Sequence, residues 1–297
     1  MLGTANVFYT RSVSPYHIYP LYEQLHKKFM KPAIKVHSGE RGNLNYLTPD
    51  YLSKFLDKIN GIIVETNSAY EGSRNTTKEH MQLMIDHGWT RYPVDILDSD
   101  SSTKFDINNG LVLNCNIVGS HMSRYNSCVV ISHFKAHPMG GFGGALKQLS
   151  IGFASGDGGK QNIHGYGSIE RGKENIKNVK SENQEAFLKA MADAAKSIHS
   201  YFAPNIIYVT IMKDISTSCD CDANAPLPQM KDIGMLVSTD PVAIDAAALY
   251  LLTQSGDPNK EDVLKVIDER QGLKIIEFAT SLKFGTNNFK LIEVEFD

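Results

Sequence analysis

Short, almost unbroken apolar runs alternate along this chain with longer segments whose apolar positions recur every third or fourth residue. The first pattern suits strands covered on both faces, the second amphipathic helices. Residues 33-AIKVHS-38, 61-GIIVET-66, 111-LVLN-114, 128-CVVIS-132 and 206-IIYVTIM-212 read as strands. The segment 48-TPDYLSKFLDKING-61 reads as a helix with signals at both ends. Thr48 can cap it, Pro49 suits the first helical position, and Gly61 can close it. A second helix opens at Thr76, whose spacing to Glu79 forms a capping box, and ends near Gly88. In 181-SENQEAFLKAMADAAKSIHSYF-202, Phe187, Met191, Ala194, Ile198 and Phe202 share one helical face, behind a capping box of Ser181 and Gln184. A further helix begins at 240-DPVAIDAAALYLL-252, with Asp240 as cap.

This alternation predicts an α/β fold: two lobes with mostly parallel sheets flanked by helices, and a site in the cleft between them. The stretch 155–180, rich in Gly, Lys and Asn, reads as a long surface loop or crossover. It sets the expected division into an N-terminal lobe, residues 1–170, and a C-terminal lobe, residues 171–297.

Composition narrows the partners. A chain of 297 residues with a formal charge of −3 and a pI near 6.4 can bury one large core or two modest ones. The charge lacks the basic surplus of a nucleic-acid binder, so no nucleic acid is expected. No apolar run approaches the roughly 18 residues of a membrane span, and MLGTANVFYTR lacks the basic-then-apolar order of a signal peptide. No membrane partner is expected. Four cysteines without a framework spacing suit a reducing compartment, so the expected location is cytoplasmic.

The densest chemistry lies in 133-HFKAHPMGGFGGALK-147, directly after an apolar strand. Ligands collect at the carboxyl edge of open α/β sheets. Gly140, Gly141, Gly143 and Gly144 allow close backbone approach to a ligand, and free N–H groups at a following helix start can hold an anion. Lys147 would fall in the first turn of that helix, where the dipole favours a neutral, nucleophilic amine. His137, just upstream, suits a base, an acid or a metal ligand, and His133 points either into the site or into the sheet. The same residues also suit a tight glycine turn with solvated histidines and a surface lysine. In 219-CDCD-222, Cys219 and Cys221 can face a metal, in a spacing unfavourable for a mutual disulfide; a turn with exposed acids is the alternative. His164 lies in the glycine-rich loop and can close over a site. Arg11 and Arg74 each suit a bidentate carboxylate contact.

The run GSHMSRYNSCVVISHFKAHPMGGFGGALKQLSIGFAS, the later CDCD and DIGMLVSTDPVAIDAA resemble the domain-of-unknown-function family 362 over nearly the whole chain. Many members of that family carry a ferredoxin module with two 4Fe–4S clusters. No C-x₂-C-x₂-C run occurs here, so no 4Fe–4S module is implied. More distantly, the glycine run is similar to the motif of nickel-dependent lactate racemase. That resemblance implies a lysine bearing a nickel-pincer nucleotide, here Lys147, with His137 and His164 as metal ligand and acid/base groups. It also implies a substrate-binding arginine, here Arg11 in 10-TRSVSP-15. The racemase segment Gly-Thr-His-Arg corresponds to 39-GERG-42, which lacks the histidine, unless His37 substitutes.

The expectation is therefore a racemase- or epimerase-like or metal-dependent enzyme acting on a small carboxylate or phosphorylated ligand. Lys147, His137 and His164 would be catalytic. Arg11, Gly140, Gly141, Gly143 and Gly144 would bind substrate, and His133, His137, Cys219 and Cys221 would hold a divalent metal (nickel, zinc or iron). The alternative is a non-catalytic, iron–sulfur-related redox partner protein using the CDCD segment. A redox partner and a homo-oligomer are both left open.

Overall fold

The computed structural model describes residues 3–176 and 183–296. Its strands are β1 (Ala5–Thr10), β2 (Ala33–Lys35), β3 (Ile62–Glu65), β4 (Val94–Ile96), β5 (Ser102–Asp106), β6 (Cys115–Gly119), β7 (Cys128–His133), β8 (Lys135–His137), β9 (Gly141–Gly143), β10 (Ile206–Met212), β11 (Gly234–Ser238) and β12 (Phe289–Glu293). Its helices are α1 (Ile18–Glu23), α2 (Pro49–Ile59), α3 (Thr77–Asp86), α4 (Ala145–Ser150), α5 (Gly159–His164), α6 (Ile169–Asn175), α7 (Gln184–Phe202), α8 (Pro241–Gln254), α9 (Lys260–Glu269) and α10 (Lys274–Ser281).

Eight strands form one sheet in the order β12-β1-β11-β10-β7-β2-β3-β4. Only the two pairings of β11 are antiparallel; the others are parallel. The fold is α/β, with a mostly parallel sheet flanked by helices. The apolar strand β7 shows why both faces need a cover. Cys128 and Val130 enter the core packed by α4, α7 and α8, whereas Val129 and Ile131 enter the opposite core with α1 and α2. Strands from both sides of the expected 170/171 division share this sheet, because β7 pairs in parallel with β10 from Ile206↔Cys128 to Ile211↔His133.

The capping signals act as their chemistry requires. Thr48 accepts from the Tyr51 N–H, Thr76 from the Glu79 N–H, and Asp240 from Val242 and Ala243. Asn60, in the left-handed region at φ 51°, closes α2 one residue before Gly61. Ser181 lies outside the described residues, and α7 follows Asn183.

Two expectations change. Residues 111–114 are not a strand. The N–H groups of Leu111, Val112 and Leu113 donate to the Asp193 carboxylate at 2.7, 2.8 and 2.9 Å, so they are unavailable to a sheet, and the strand is the adjacent β6. The segment 155–180 is no surface loop over its described part. It folds into α5 and α6, and every residue of α5 is buried. Its polar residues made it look exposed; Lys160, Asn162 and His164 instead point inward to protein acceptors.

Replacing Asp193 by Ala removes the acceptor of three backbone donors. Thermal or urea unfolding should show a loss of roughly 2–4 kcal/mol. A loss under about 0.5 kcal/mol, the range of neutral surface substitutions, would mean that the 111–113 turn is held by other contacts.

Candidate functional site

The parallel strands β2, β3, β7 and β10 all end at one edge of the sheet, and the chain beyond them builds a pocket with a cavity volume of ≈ 90 Å³. Lys35 and His37 come from the end of β2, Glu65 from β3, Tyr70 and Arg74 from the next loop, His137 from β8, Lys147 from α4, Lys160 and His164 from α5, and Cys221 from the loop after β10. Met139, Phe187 and Met191 supply apolar wall.

Lys147 Nζ stands 3.7 Å from Cys219 Sγ. Cys219 also receives the Cys221 thiol, with the sulfurs 2.6 Å apart, and the Cys221 N–H at 3.3 Å. The Cys221 hydrogen bond holds Cys219 well below the ordinary thiol range. Burial opposes the shift, and Lys147 and His137 reinforce it. Cys221 is pushed correspondingly up, first by its bond to Cys219 and then by burial, so the pair shares one proton around a thiolate.

Lys147 is therefore not the neutral amine expected from the helix dipole. Burial acts to lower its pKa, but Cys219, Cys221 and Asp220 outweigh burial and raise it. The anion expected at the start of α4 also meets an occupied place. Ala145 and Leu146 donate their N–H groups to the Asp245 carboxylate at 2.7 and 2.9 Å. Burial pushes that acid up to about 7 against these backbone bonds. Gly144 is required here for space, because a Cβ on it would lie 2.5 Å from Asp245 Oδ1.

The three pocket histidines present different faces. His137 Nδ1 accepts from the Met139 and Gly140 N–H groups at 3.2 and 2.9 Å, which leaves Nε2–H for Cys219. His37 Nδ1 accepts from the Gly39 N–H at 3.1 Å, leaving Nε2–H as a donor. His164 is the reverse: Nδ1–H donates to the Lys160 carbonyl at 2.7 Å and leaves Nε2 a lone pair. Burial lowers all three, His164 to about 4. These tautomers follow from the hydrogen-bond partners.

Other expected site residues are placed elsewhere. His133 cannot give a lone pair to a metal, because Asp220 engages Nδ1 at 3.1 Å and the Lys213 carbonyl engages Nε2 at 2.6 Å. Arg11 does not line the pocket. Its side chain is 80 % exposed and paired with Glu293 at 2.7 Å. The buried arginine is Arg74, held by Glu40 at 3.3 Å and Tyr70 at 3.0 Å. Gly140 lines the pocket, while Gly143 and Gly144 sit behind Lys147. Gly141, at φ 83°, packs against Gly272.

Sequence reasoning missed Lys35, Glu65, Tyr70 and Lys160. A signal existed: Lys35 and Glu65 are charges inside the apolar runs AIKV and IIVE, and they pair at 2.6 Å. Lys160 donates to Thr66, Asn67 and Ala154 at 2.6–2.8 Å. Burial lowers it to about 7.

Among the described residues, His137, Cys219 and Cys221 are the one group placed to hold a metal ion, with donor atoms within 4.8 Å of one another. Two thiolates about 2.3 Å from a tetrahedral zinc stand roughly 3.8 Å apart, so the pair would open by about 1 Å to ligate one. A nucleotide tethered to Lys147 does not fit the residues present. Cys219 engages Nζ, and Asp245 closes the helix start.

The thiolate at Cys219 is open to direct measurement. Its ultraviolet absorbance, isolated as the difference between wild type and Cys219→Ser, should persist below the ordinary thiol pKa of about 8.5. Lys147→Met removes a cation, so the transition should move to higher pH. An unmoved transition would mean that Lys147 does not act on Cys219. Asp245→Ala should cost roughly 2–4 kcal/mol in unfolding by stranding two buried N–H donors, and a neutral result would contradict their pairing.

The lactate racemase apoprotein from Thermoanaerobacterium thermosaccharolyticum superposes on this chain with a TM-score of 0.43 at 16% identity, covering 70% of this chain and 50% of that one. The chain thus spans half the length of that structure. A Thermotoga maritima protein solved by structural genomics gives a TM-score of 0.42 at 11% identity, covering 89% of this chain and 58% of that one. No curated protein matches the chain. Among the described residues, no helix is long and apolar enough to cross a membrane. The family model described as Domain of unknown function (DUF362) matches residues 33–250, well over half of the sequence, and the chain belongs to that family.

Proposed function

We propose that this pocket is the active site of a cytoplasmic enzyme that exchanges a proton at a carbon beside a carboxylate, a racemase- or epimerase-like reaction on a small 2-hydroxy or 2-oxo acid. The observation that carries this reading is the convergence of opposite acid–base faces on one pocket. His164 offers a lone pair, His37 offers an N–H, and the buried cations Arg74 and Lys147 line the same walls. Proton exchange at carbon needs a base and a donor within reach of one bound substrate. His37 would take the place of the histidine absent from 39-GERG-42.

Arg74 would bind the substrate carboxylate, since a guanidinium suits a planar anion. Lys147 would stabilise negative charge developing on the neighbouring oxygen, a task strengthened by a poorly hydrated site. His164, held near 4 by burial, would be unprotonated at neutral pH and ready to accept a proton. The alternative of a surface redox partner has less support: Cys219 is 1 % exposed and lies under the pocket rather than on an outer face.

The test is deuterium incorporation at the substrate α-carbon in heavy water, followed by NMR across a panel of 2-hydroxy and 2-oxo acids. One or more should exchange, with a loss of at least about 100-fold in His164→Ala, the scale of general-base catalysis. The acid limb of the rate should fall near pH 4, where His164 gains its proton. Absence of both exchange and binding across the panel would remove the reading, as would exchange unaffected by His164→Ala and Arg74→Lys.

A further inference from the structure

The residues after β10 turn sharply: the Asp222 N–H donates to the Cys219 carbonyl at 2.9 Å. A β-turn keeps its first and fourth Cα atoms within about 7 Å, which lets the first and third fall in the roughly 4.4–6.8 Å range that a disulfide spans. The side chains follow the backbone. Cys219 Sγ and Cys221 Sγ are in contact at 2.6 Å, and both residues are free cysteines. The spacing alone reads as unfavourable for a bridge; the turn removes that objection. Access is also asymmetric. Cys221 lines the pocket and is partly exposed, whereas Cys219 lies buried beneath it beside Lys147 and His137.

We propose that Cys219 and Cys221 form a reversible redox pair at the floor of the pocket, cycling between a dithiol and an intramolecular disulfide by exchange with a small-molecule disulfide. Cys221, the sulfur that faces the pocket, gives up its proton to solvent and attacks one sulfur of the incoming disulfide. The S–S bond of the reagent breaks, and its first thiolate leaves with a proton from solvent. Cys219 then attacks the Cys221 sulfur of the mixed disulfide, and the second departing thiolate takes a proton from solvent. The two protein sulfurs lose two electrons, and the reagent becomes two thiols. The bridge ties the sulfur that Lys147 Nζ meets at 3.7 Å into a bond with Cys221. The ammonium of Lys147 then lacks its partner and is released to an anionic ligand. This last consequence rests on the carboxylate reading of the pocket; the bridge itself does not.

The experiment equilibrates the native full-length protein in mixtures of reduced and oxidised glutathione. After acid quenching, thiols are alkylated and the peptide carrying both cysteines is weighed. It should pass from doubly alkylated to bridged as the mixture becomes oxidising, and return on reduction. Cys219→Ser and Cys221→Ser should each abolish the bridged peptide. Circular dichroism of each sample confirms that the fold is kept. Oxalate serves as the anion probe, and its affinity should rise about tenfold or more on oxidation, a change of about 1.4 kcal/mol. Both cysteines remaining alkylatable in fully oxidised glutathione, in folded protein, would overturn the proposal. So would a stoichiometric metal ion that protects both thiols and is lost in both serine variants. A bridge without any change in oxalate affinity supports the redox pair and counts against the carboxylate reading.

Discussion

Asp220 is a carboxylate buried at the carboxyl edge of the sheet, and three separate segments depend on it. Its oxygens take hydrogen bonds from His133 Nδ1 and Lys135 Nζ, and its backbone carbonyl accepts the Glu40 N–H at 3.0 Å. Burial would raise this acid, yet His133 and Lys135 hold it well below the usual carboxylate range. A buried charge left alone costs several kcal/mol, so the segment carrying Asp220 is fixed against the ends of β7 and β8. Asp220 stands between Cys219 and Cys221. Anchoring it delivers both thiols to Lys147 and His137.

The same rule organises the rest of the pocket. Lys35 pairs with Glu65, Arg74 with Glu40, and Lys147 with the Cys219 thiolate. Lys160 departs from it, with three neutral oxygens as partners, and burial accordingly brings it down to about 7. Buried ion pairs are weak evidence for stability, because desolvation offsets much of the attraction. Their concentration at one sheet edge is better explained by a need to hold polar groups in a fixed arrangement around a ligand. Function and fold meet at Asp245 as well, which takes the helix-start N–H groups that an external anion would otherwise use.

Much of this was legible in the sequence where local rules decide the outcome. The caps at Thr48, Thr76 and Asp240 and the apolar strands β7 and β10 follow from side chains acting on their own neighbourhood. His137 and Lys147 were legible from the glycine run after an apolar strand, Cys221 from the CDCD spacing, and the place of His164 beside them through motif resemblance. Partners distant in sequence were not legible. Asp193 diverts 111–113 from a strand, and Asp245 fills the start of α4, from 80 and 100 residues away. Arg11 and Arg74 have the same chemistry on paper, and only the packing of Glu40 and Tyr70 around Arg74 distinguishes them. The polar composition of 155–180 concealed α5, whose Lys160, Asn162 and His164 face inward.

The pocket assembled by charge pairing makes its strongest claim at Lys147. NMR titration of the Lys147 ammonium, in wild type and in Cys219→Ser combined with Cys221→Ser, tests it most directly. The account predicts a value above the ordinary lysine range in wild type, where the thiolate outweighs burial. In the double variant it predicts a fall, because burial then meets only the more modest opposition of Asp220. The same value in both proteins, or a wild-type lysine already neutral at pH 8, would contradict it.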